Sequence, residues 1–520
     1  MNMKINLIKI SILANIVMLL MVSCIGDLDV TPIDPRVTTS ATVYSTKETY
    51  KAGLAKLYAA FALTGQQGPA GAGDVGGVDE GFSCFIRSLW NLNELTTDEA
   101  VWTYPNDANG TIFNLHYHSW VPSDGIPTAL FARIMNVAAL SNEFIRATAS
   151  ETDDPDIAKF QAEARFLRAL AYYHGLDLFA NMPFVTESDL PGAYFPPQKT
   201  RAELFEYVES ELIAIKPLMG APRFEYGRAD QGACAMLLAK LYLNAQVYLG
   251  ESSPRFTEAI SQLNEVIAGG YSLAPRYIHN FLADNHTSPE IIFAQLFDGQ
   301  SSQAFDGVNV MIYGNAGNGG WAGLRTTSAF VNKFEDLNGA RALFAKEDKG
   351  QSLEIDAVNN QSQGYGVFKF QNVTSTGEPG SHPSHQDTDY PMFRLADAYL
   401  MYAEAVLRGG SGGDLTTALN YVNAIRTRPG DVADGNAPGT ISSGQLTLDF
   451  LIDERARELY WEGHRRPDLI RFGKFTGDDY LWPWKGGVQE GTSIEARRAI
   501  FPIPAADIGS NPQLEQNTGY

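Results

Sequence analysis

The sequence predicts a mainly α-helical fold made of discontinuous helix pairs, with loop-rich segments set between them. Three features predict it. Apolar residues recur at helical spacing in stretch after stretch, so each stretch carries one apolar stripe. Glycine and proline breaks separate the stretches, as at Gly269-Gly270 and Pro429-Gly430. Two long segments, 64–127 and 272–390, lack the periodicity and hold glycine-rich turns and scattered aromatic residues.

The N-terminus is predicted to be a targeting segment. Lys4 and Lys9 supply positive charge, and 10–22 is almost wholly apolar. That run is short of the roughly 20 residues a membrane-spanning helix needs. It ends at Leu20-Met21-Val22-Ser23-Cys24, which resembles a bacterial lipobox with Met21 where leucine is commoner. Cleavage there would leave Cys24 as the first residue, carrying lipid. Acyl chains at about 0.8 kcal/mol per buried CH₂ would then anchor the chain without a transmembrane helix. Asp27, Leu28 and Asp29 follow, similar to the surface-export signal of bacterial lipoproteins. The expected organisation is a signal peptide over 1–23, a lipidated tether over 24–40, and one domain over 41–520. That domain carries insertions at about 64–127 and 272–390.

Helices are predicted over 48–63, 128–148, 156–179, 200–218, 231–249, 255–268, 391–408 and 414–426. In the first, Tyr50, Leu54, Leu57, Tyr58 and Phe61 share one side. In the third, Phe166, Leu167, Leu170, Tyr173 and His174 do. The stretch 256–271 resembles the second helix of a tetratricopeptide unit, and 398–406 with 415–425 resembles a whole unit. Such pairs hide their apolar faces only by stacking on neighbours.

The last helix opens at Leu448. Leu448, Ile452, Ala456 and Leu459 make its stripe, and Asp453, Glu454 and Arg457 are spaced for ion pairs on its surface. Gly463 is placed to end it in a left-handed turn, and Pro467 to block its continuation. The wording ERARELYWEGHRRPDLIRFG (454–473) resembles a signature of the SusD/RagB family. FPIP (501–504) and NPQLEQNTGY (511–520) resemble that family's closing motif. The resemblance implies a SusD-like architecture, in which tetratricopeptide-like pairs support a loop-rich ligand-binding lobe.

Composition narrows the function. There are 39 Lys and Arg against 60 Asp and Glu, a net charge of −21 that becomes −23 if the two lysines of 1–23 are removed. Such a surface argues against nucleic acid, which needs clustered cations. Aromatic residues make up 11% of the chain, which suits neutral ligands that stack on rings. Three cysteines make no disulfide framework. Cys234 reads as a small core residue, and Cys84 has no evident role.

Function is expected in the two insertions. The first opens on a glycine-rich run, Gly65 to Gly77, which no Gly-Lys-Ser/Thr follows, so it is not a phosphate loop. Asp79, Arg87, Trp102, Tyr104 and Asp107 come next. The second holds Phe297, Phe305, Tyr313 and a Gly-Asn-rich turn, 314–320, that presents Trp321. A pyranose ring lays its C–H face on an aromatic ring and needs paired polar groups around its hydroxyl rim. Arg87 can donate bidentately, Asp79 and Asp107 can accept, and Trp102, Tyr104 and Trp321 can form an aromatic arc. The stretch 89–107 resembles the ligand-site stretch of the family's starch-binding founding member. Carried over residue by residue, that resemblance implies a glycan site of Asp79, Arg87, Trp102, Tyr104, Asp107, Phe297 and Trp321. Asp107 would stand for an amide there, with Asn106 adjacent, Tyr104 for a tryptophan and Phe297 for a tyrosine.

Acid pairs of glycosidase type occur at Glu94, Asp98 and Glu99 and at Asp79 and Glu80, but sequence neighbours seldom face one another across a bond. His116 with His118, and His382 with His385, lack further ligands at a metal-site spacing. No cofactor is expected; loop carboxylates could hold structural calcium, and the sequence leaves that open. The expectation is a non-catalytic, lipid-anchored protein exposed at the outer-membrane surface. The family implies that it would capture oligosaccharide, starch or a related glucan, and pass it to a TonB-dependent SusC-like transporter. Binding of peptide or glycoprotein glycan as in RagB-type members, glycoside hydrolysis, and a pure interaction scaffold are the alternatives. The scaffold predicts that Trp102 and Trp321 are buried.

Overall fold

The computed structural model describes residues 43–520, apart from 72, 105–106, 152, 190–191, 193, 317–320 and 322. The signal segment, Cys24, the tether and Asn106 lie outside the described residues, as does most of the turn before Trp321. Residues 50–520 form one unit.

The helices appear close to where periodicity puts them, except that 391–394, expected as the start of a helix, form a strand, and 231–249 breaks at Asn244. α1 (Lys47–Ala62) buries Leu54, Leu57 and Phe61 on one side. α2 (Phe85–Glu94) and the short strand β1 (Val101–Trp102) follow. α3 (Gly125–Ala147) and α4 (Pro155–Leu178) are the longest pair. The side chain of Asp154 caps α4 by accepting from the N–H of Asp156, and Pro155 takes the first turn, where its missing N–H costs nothing. α5 (Arg201–Ile215) starts on a reciprocal Thr200–Glu203 capping box. α6 (Gln231–Leu243) is apolar nearly all round and buried, Cys234 included. α7 (Phe256–Ala268) ends at Gly269 and Gly270.

The second insertion leaves through β2 (Ile291–Gln295), holds α8 (Gly307–Tyr313) and β3 (Leu324–Arg325), and returns through β4 (Tyr390–Arg394). β2 and β4 pair antiparallel, so the segment enters and exits at one place. α9 (Leu395–Leu407), α10 (Leu415–Arg426), α11 (Leu448–Leu459) and α12 (Arg465–Arg471) complete the chain's main helices. α3 packs on α4, α4 on α5, α5 on α6, α6 on α7, α7 on α9, and α9 on both α10 and α11. The pairs are discontinuous in sequence and continuous in space, because α7 and α9 meet across the loop-rich segment between them.

Three expectations need correction. First, 64–127 is not loop throughout. Phe85, Ile86, Leu89, Trp90 and Leu92 recur at helical spacing in α2, and every residue of the helix is buried, its polar ones included. Second, the helix from Leu448 ends at Leu459, before Gly463, which does adopt positive φ (79°). Pro467 does not block a helix; it sits in the first turn of α12, where N–H groups lack partners anyway.

Third, the charges of α11 face inward. Arg457 does pair with Glu454 at 2.8 Å, but Asp453 pairs instead with Lys333, and Glu454 is fully buried. Arg341 and Arg426 also reach Glu454. Glu458 accepts from Arg394 at 2.7 Å and Arg428 at 2.5 Å, and both arginines also hold Glu290. Burial pushes the Glu290 carboxyl up, yet Arg428 and Arg394 outweigh it and hold it down to about 2. The signature wording therefore encodes an interior ion network that ties α11 to the start of α9 and to the loop-rich segment. Losing one partner would leave a buried charge unpaired, which costs about 3–5 kcal/mol.

Candidate functional site

The two insertions meet at one antiparallel contact. Val101 pairs with Arg325 and Trp102 with Leu324, and the Thr103 N–H donates to Gly323 O at 2.8 Å. This ladder sets Trp102 beside the second insertion. Gly323 lets the indole approach, since a Cβ there would sit 3.1 Å from the ring. Trp321 packs over Gly314, where a Cβ would come within 2.6 Å of its ring, and its N–H donates to Tyr313 O at 3.1 Å.

Three predicted rings thus come together. Trp102 lies edge-on to Trp321 at 5.5 Å and to Tyr104 at 6.4 Å. Tyr104 and Trp321 are close to parallel, 6.5 Å apart with 28° between their planes. Trp321 is 37% exposed, Tyr104 is half-buried, and Trp102 is 1% exposed. The interaction-scaffold alternative required both indoles to be buried; only Trp102 is. Trp102 Nε1 finds no acceptor among the described residues, although it is buried. The Tyr104 hydroxyl accepts from Gln361 Nε2 at 2.8 Å. Gly314, in the turn expected to present Trp321, shapes the cluster together with Gln361 and Gly323, which were not singled out from sequence. Their roles depend on which segments meet, and nothing local signals them.

The other predicted residues do not join the rings. Arg87 is buried on α2, donates to Gly81 O at 2.7 Å and pairs with Asp107. Its guanidinium braces the loop and is not presented to a sugar. Asp107 is committed to the same pair and caps the N–H of Ala108. Asp79 is exposed, but one of its oxygens accepts from the Gly81 N–H. Phe297 is 6% exposed just past β2, where its N–H donates to Asp389. The β2–β4 ladder holds it there, so its spacing from Trp321 does not bring it into the arc.

The acid pairs are structural. Asp98 receives two hydrogen bonds from Arg465, at 2.7 and 2.9 Å, and one from Tyr480. Glu94 accepts from the Gly463 N–H, and Glu99 from the Trp461 N–H. All three carboxyls are buried. Burial pushes Glu99 up to about 7, and burial followed by the charge of Glu99 pushes Glu94 up as well. Glu80 accepts from the Gly73 N–H. His116 and His118 are buried, and desolvation pushes both down to about 3. Among the described residues no group of three or more His, Cys, Asp or Glu side chains could hold a metal ion. Cys84 is buried and its thiol donates to Ala62 O at 3.0 Å.

An open apolar groove of about 320 Å³ lies elsewhere, between α1 and 225–228, lined by Leu54, Tyr58 and Leu296. Polar side chains, among them Lys51, Glu225 and Gln295, also line it, but no tryptophan among the described residues does, whereas the aromatic cluster presents the Trp321 face.

Comparison with known proteins agrees with this architecture. The family described as "SusD family" matches residues 346–520. The starch-binding protein SusD of Bacteroides thetaiotaomicron is 35% identical, with 96% of each chain covered. The chain belongs to the SusD family. A further family member, SusD-like protein P25 of Formosa agariphila, is 27% identical over 69% of this chain and 73% of its own. Among solved SusD-type folds, surface glycan-binding protein A of Bacteroides thetaiotaomicron, in complex with laminarihexaose, superposes with a TM-score of 0.69. It is 19% identical and covers 91% of this chain and all of its own, which speaks to the fold.

Proposed function

We propose that this SusD-family chain is a surface lipoprotein that binds oligosaccharide and performs no chemistry on it. The cluster of Trp102, Tyr104 and Trp321 carries the reading. Trp321 offers an exposed face, Tyr104 lies nearly parallel to it, and the buried Trp102 supports both. Such a platform takes the C–H face of a sugar. The relative named as starch-binding makes an α-glucan the first ligand to try. The reading extends to a lipid anchor at Cys24 and to delivery of the glycan to a TonB-dependent SusC-like transporter, both supported by family membership. No helix among the described residues is long and apolar enough to cross a membrane.

The test is a polysaccharide panel against the fragment lacking residues 1–24, with Trp321→Ala alongside. The variant is expected to lose retardation in polysaccharide affinity gels while melting within about 1 kcal/mol of wild type, since an exposed side chain contributes little to the core. Retained binding with a large stability loss would reject the site. Reducing ends released from any polysaccharide would reject the non-catalytic reading.

A further inference from the structure

A cavity of about 810 Å³ has in its wall residues that adjoin the aromatic cluster along the chain. The two share a stretch of chain. Tyr313 lines the cavity with its side chain, while its carbonyl holds the N–H of Trp321, and the next residue, Gly314, lies under the Trp321 ring. The rest of the wall comes from Ile312, Lys349 and residues within 368–383. We propose that this cavity is a second carbohydrate subsite, continuous with the Trp321 platform, which takes the sugar units next to those stacked on the rings. The proposal rests on the glycan-binding reading above and adds that the ligand is an extended chain.

The lining has the chemistry that sugars require. Tyr313 and Phe368, both half-buried, offer ring surface. Asn372 Nδ2 donates to the Tyr313 hydroxyl at 2.9 Å, which fixes the phenol and leaves its own O–H to donate outward. Gln371 uses its Nε2 on Phe368 O, leaving its Oε1 to accept. His382 uses Nδ1 on the Ser384 N–H, leaving Nε2. Lys349 Nζ is exposed and has no ion pair among the described residues. Ring faces, an amide oxygen, a phenol, an imidazole and an ammonium thus surround one volume. That volume falls within the range of built ligand sites, roughly 300–1,000 Å³. Asn372 also donates to the carbonyls of His382 and His385, so the wall is braced from behind and presented in a set geometry.

The test measures affinity by calorimetry across maltooligosaccharides and laminarioligosaccharides, from the disaccharide to the heptasaccharide. Pro383 is exposed at the cavity wall, so Pro383→Trp narrows the volume without touching the core. Wild type is expected to gain about tenfold or more in affinity from short to long chains. Pro383→Trp should hold short chains as wild type does and lose that gain. Tyr313→Phe, which keeps the ring and removes the hydroxyl, should lose part of it. A length dependence unchanged in both variants overturns the subsite. Trp321→Ala separates the two readings: short-chain binding that survives it rejects the platform, whereas the Pro383→Trp ladder reports on the cavity alone. Failure of both ladders to bind wild type would overturn subsite and platform together.

Discussion

Glu99 shows how a residue that resembles catalytic machinery can be a cost to the fold. Burial raises its carboxyl to about 7, against an ordinary value of 4.5. Between those values the folded state holds a proton that the unfolded chain releases. Its contribution to stability is therefore present below the ordinary value and is lost as pH rises through about 7. Glu99→Gln keeps an oxygen for the Trp461 N–H and removes the titration, while Asp98 still serves Arg465. The variant is expected to melt higher than wild type at about pH 8, with the difference vanishing near pH 5. Thermal melts across that range check it; a variant less stable at the upper end would reject the argument. Residue type alone could not separate these roles. A Glu–Asp–Glu cluster reads the same in sequence whether it faces solvent or a buried arginine.

At the scale of elements, the contact that matters is the smallest. β1 and β3 contribute two residues each, yet their ladder joins the two insertions and brings Trp102 to Trp321. Gly323 on that ladder permits the approach. Gly323→Ala would press a methyl group on the Trp102 ring, with an expected stability loss of about 1–3 kcal/mol. Because Trp102 supports Trp321 and Tyr104, retardation by polysaccharide should weaken as well. Denaturant melts and affinity gels together check this, and unaltered binding would separate Trp102 from the platform. The amphipathic helices were legible because their stripes repeat at 3.6 residues. α2 carries such a stripe too, but its polar face of Arg87, Ser88, Asn91 and Glu94 is buried as well, and spacing does not reveal that. Pro467 misled for a related reason: a proline closes one helix or opens the next, and only the backbone on either side decides which.

For the whole molecule, stacked helix pairs run unbroken through space while the chain leaves them for long excursions. The buried network of Glu290, Arg394, Arg428 and Glu458 joins the strand that ends the second excursion to α11. The scaffold and the ligand-facing segments are therefore held as one piece. On the proposed reading, the remaining link is to the membrane. Cys24→Ala should move the protein from the membrane to the soluble fraction of cells, since several acyl chains are needed for stable anchoring and this change removes their attachment point. Persistent membrane association would reject lipidation at Cys24.

What the linear sequence determined by itself was the helical periodicity, the places where helix pairs break, and the long signature and closing blocks that mark the SusD family. These are local or literal properties, carried by neighbours within a few turns. What the tertiary structure decided was which candidate side chains are presented. It gathered Trp102, Tyr104 and Trp321, and it placed Arg87, Phe297, Glu94, Asp98 and Glu99 inside. Those outcomes depend on pairings between residues hundreds of positions apart, such as β1 with β3 and Glu99 with Trp461, and spacing along the chain does not encode them.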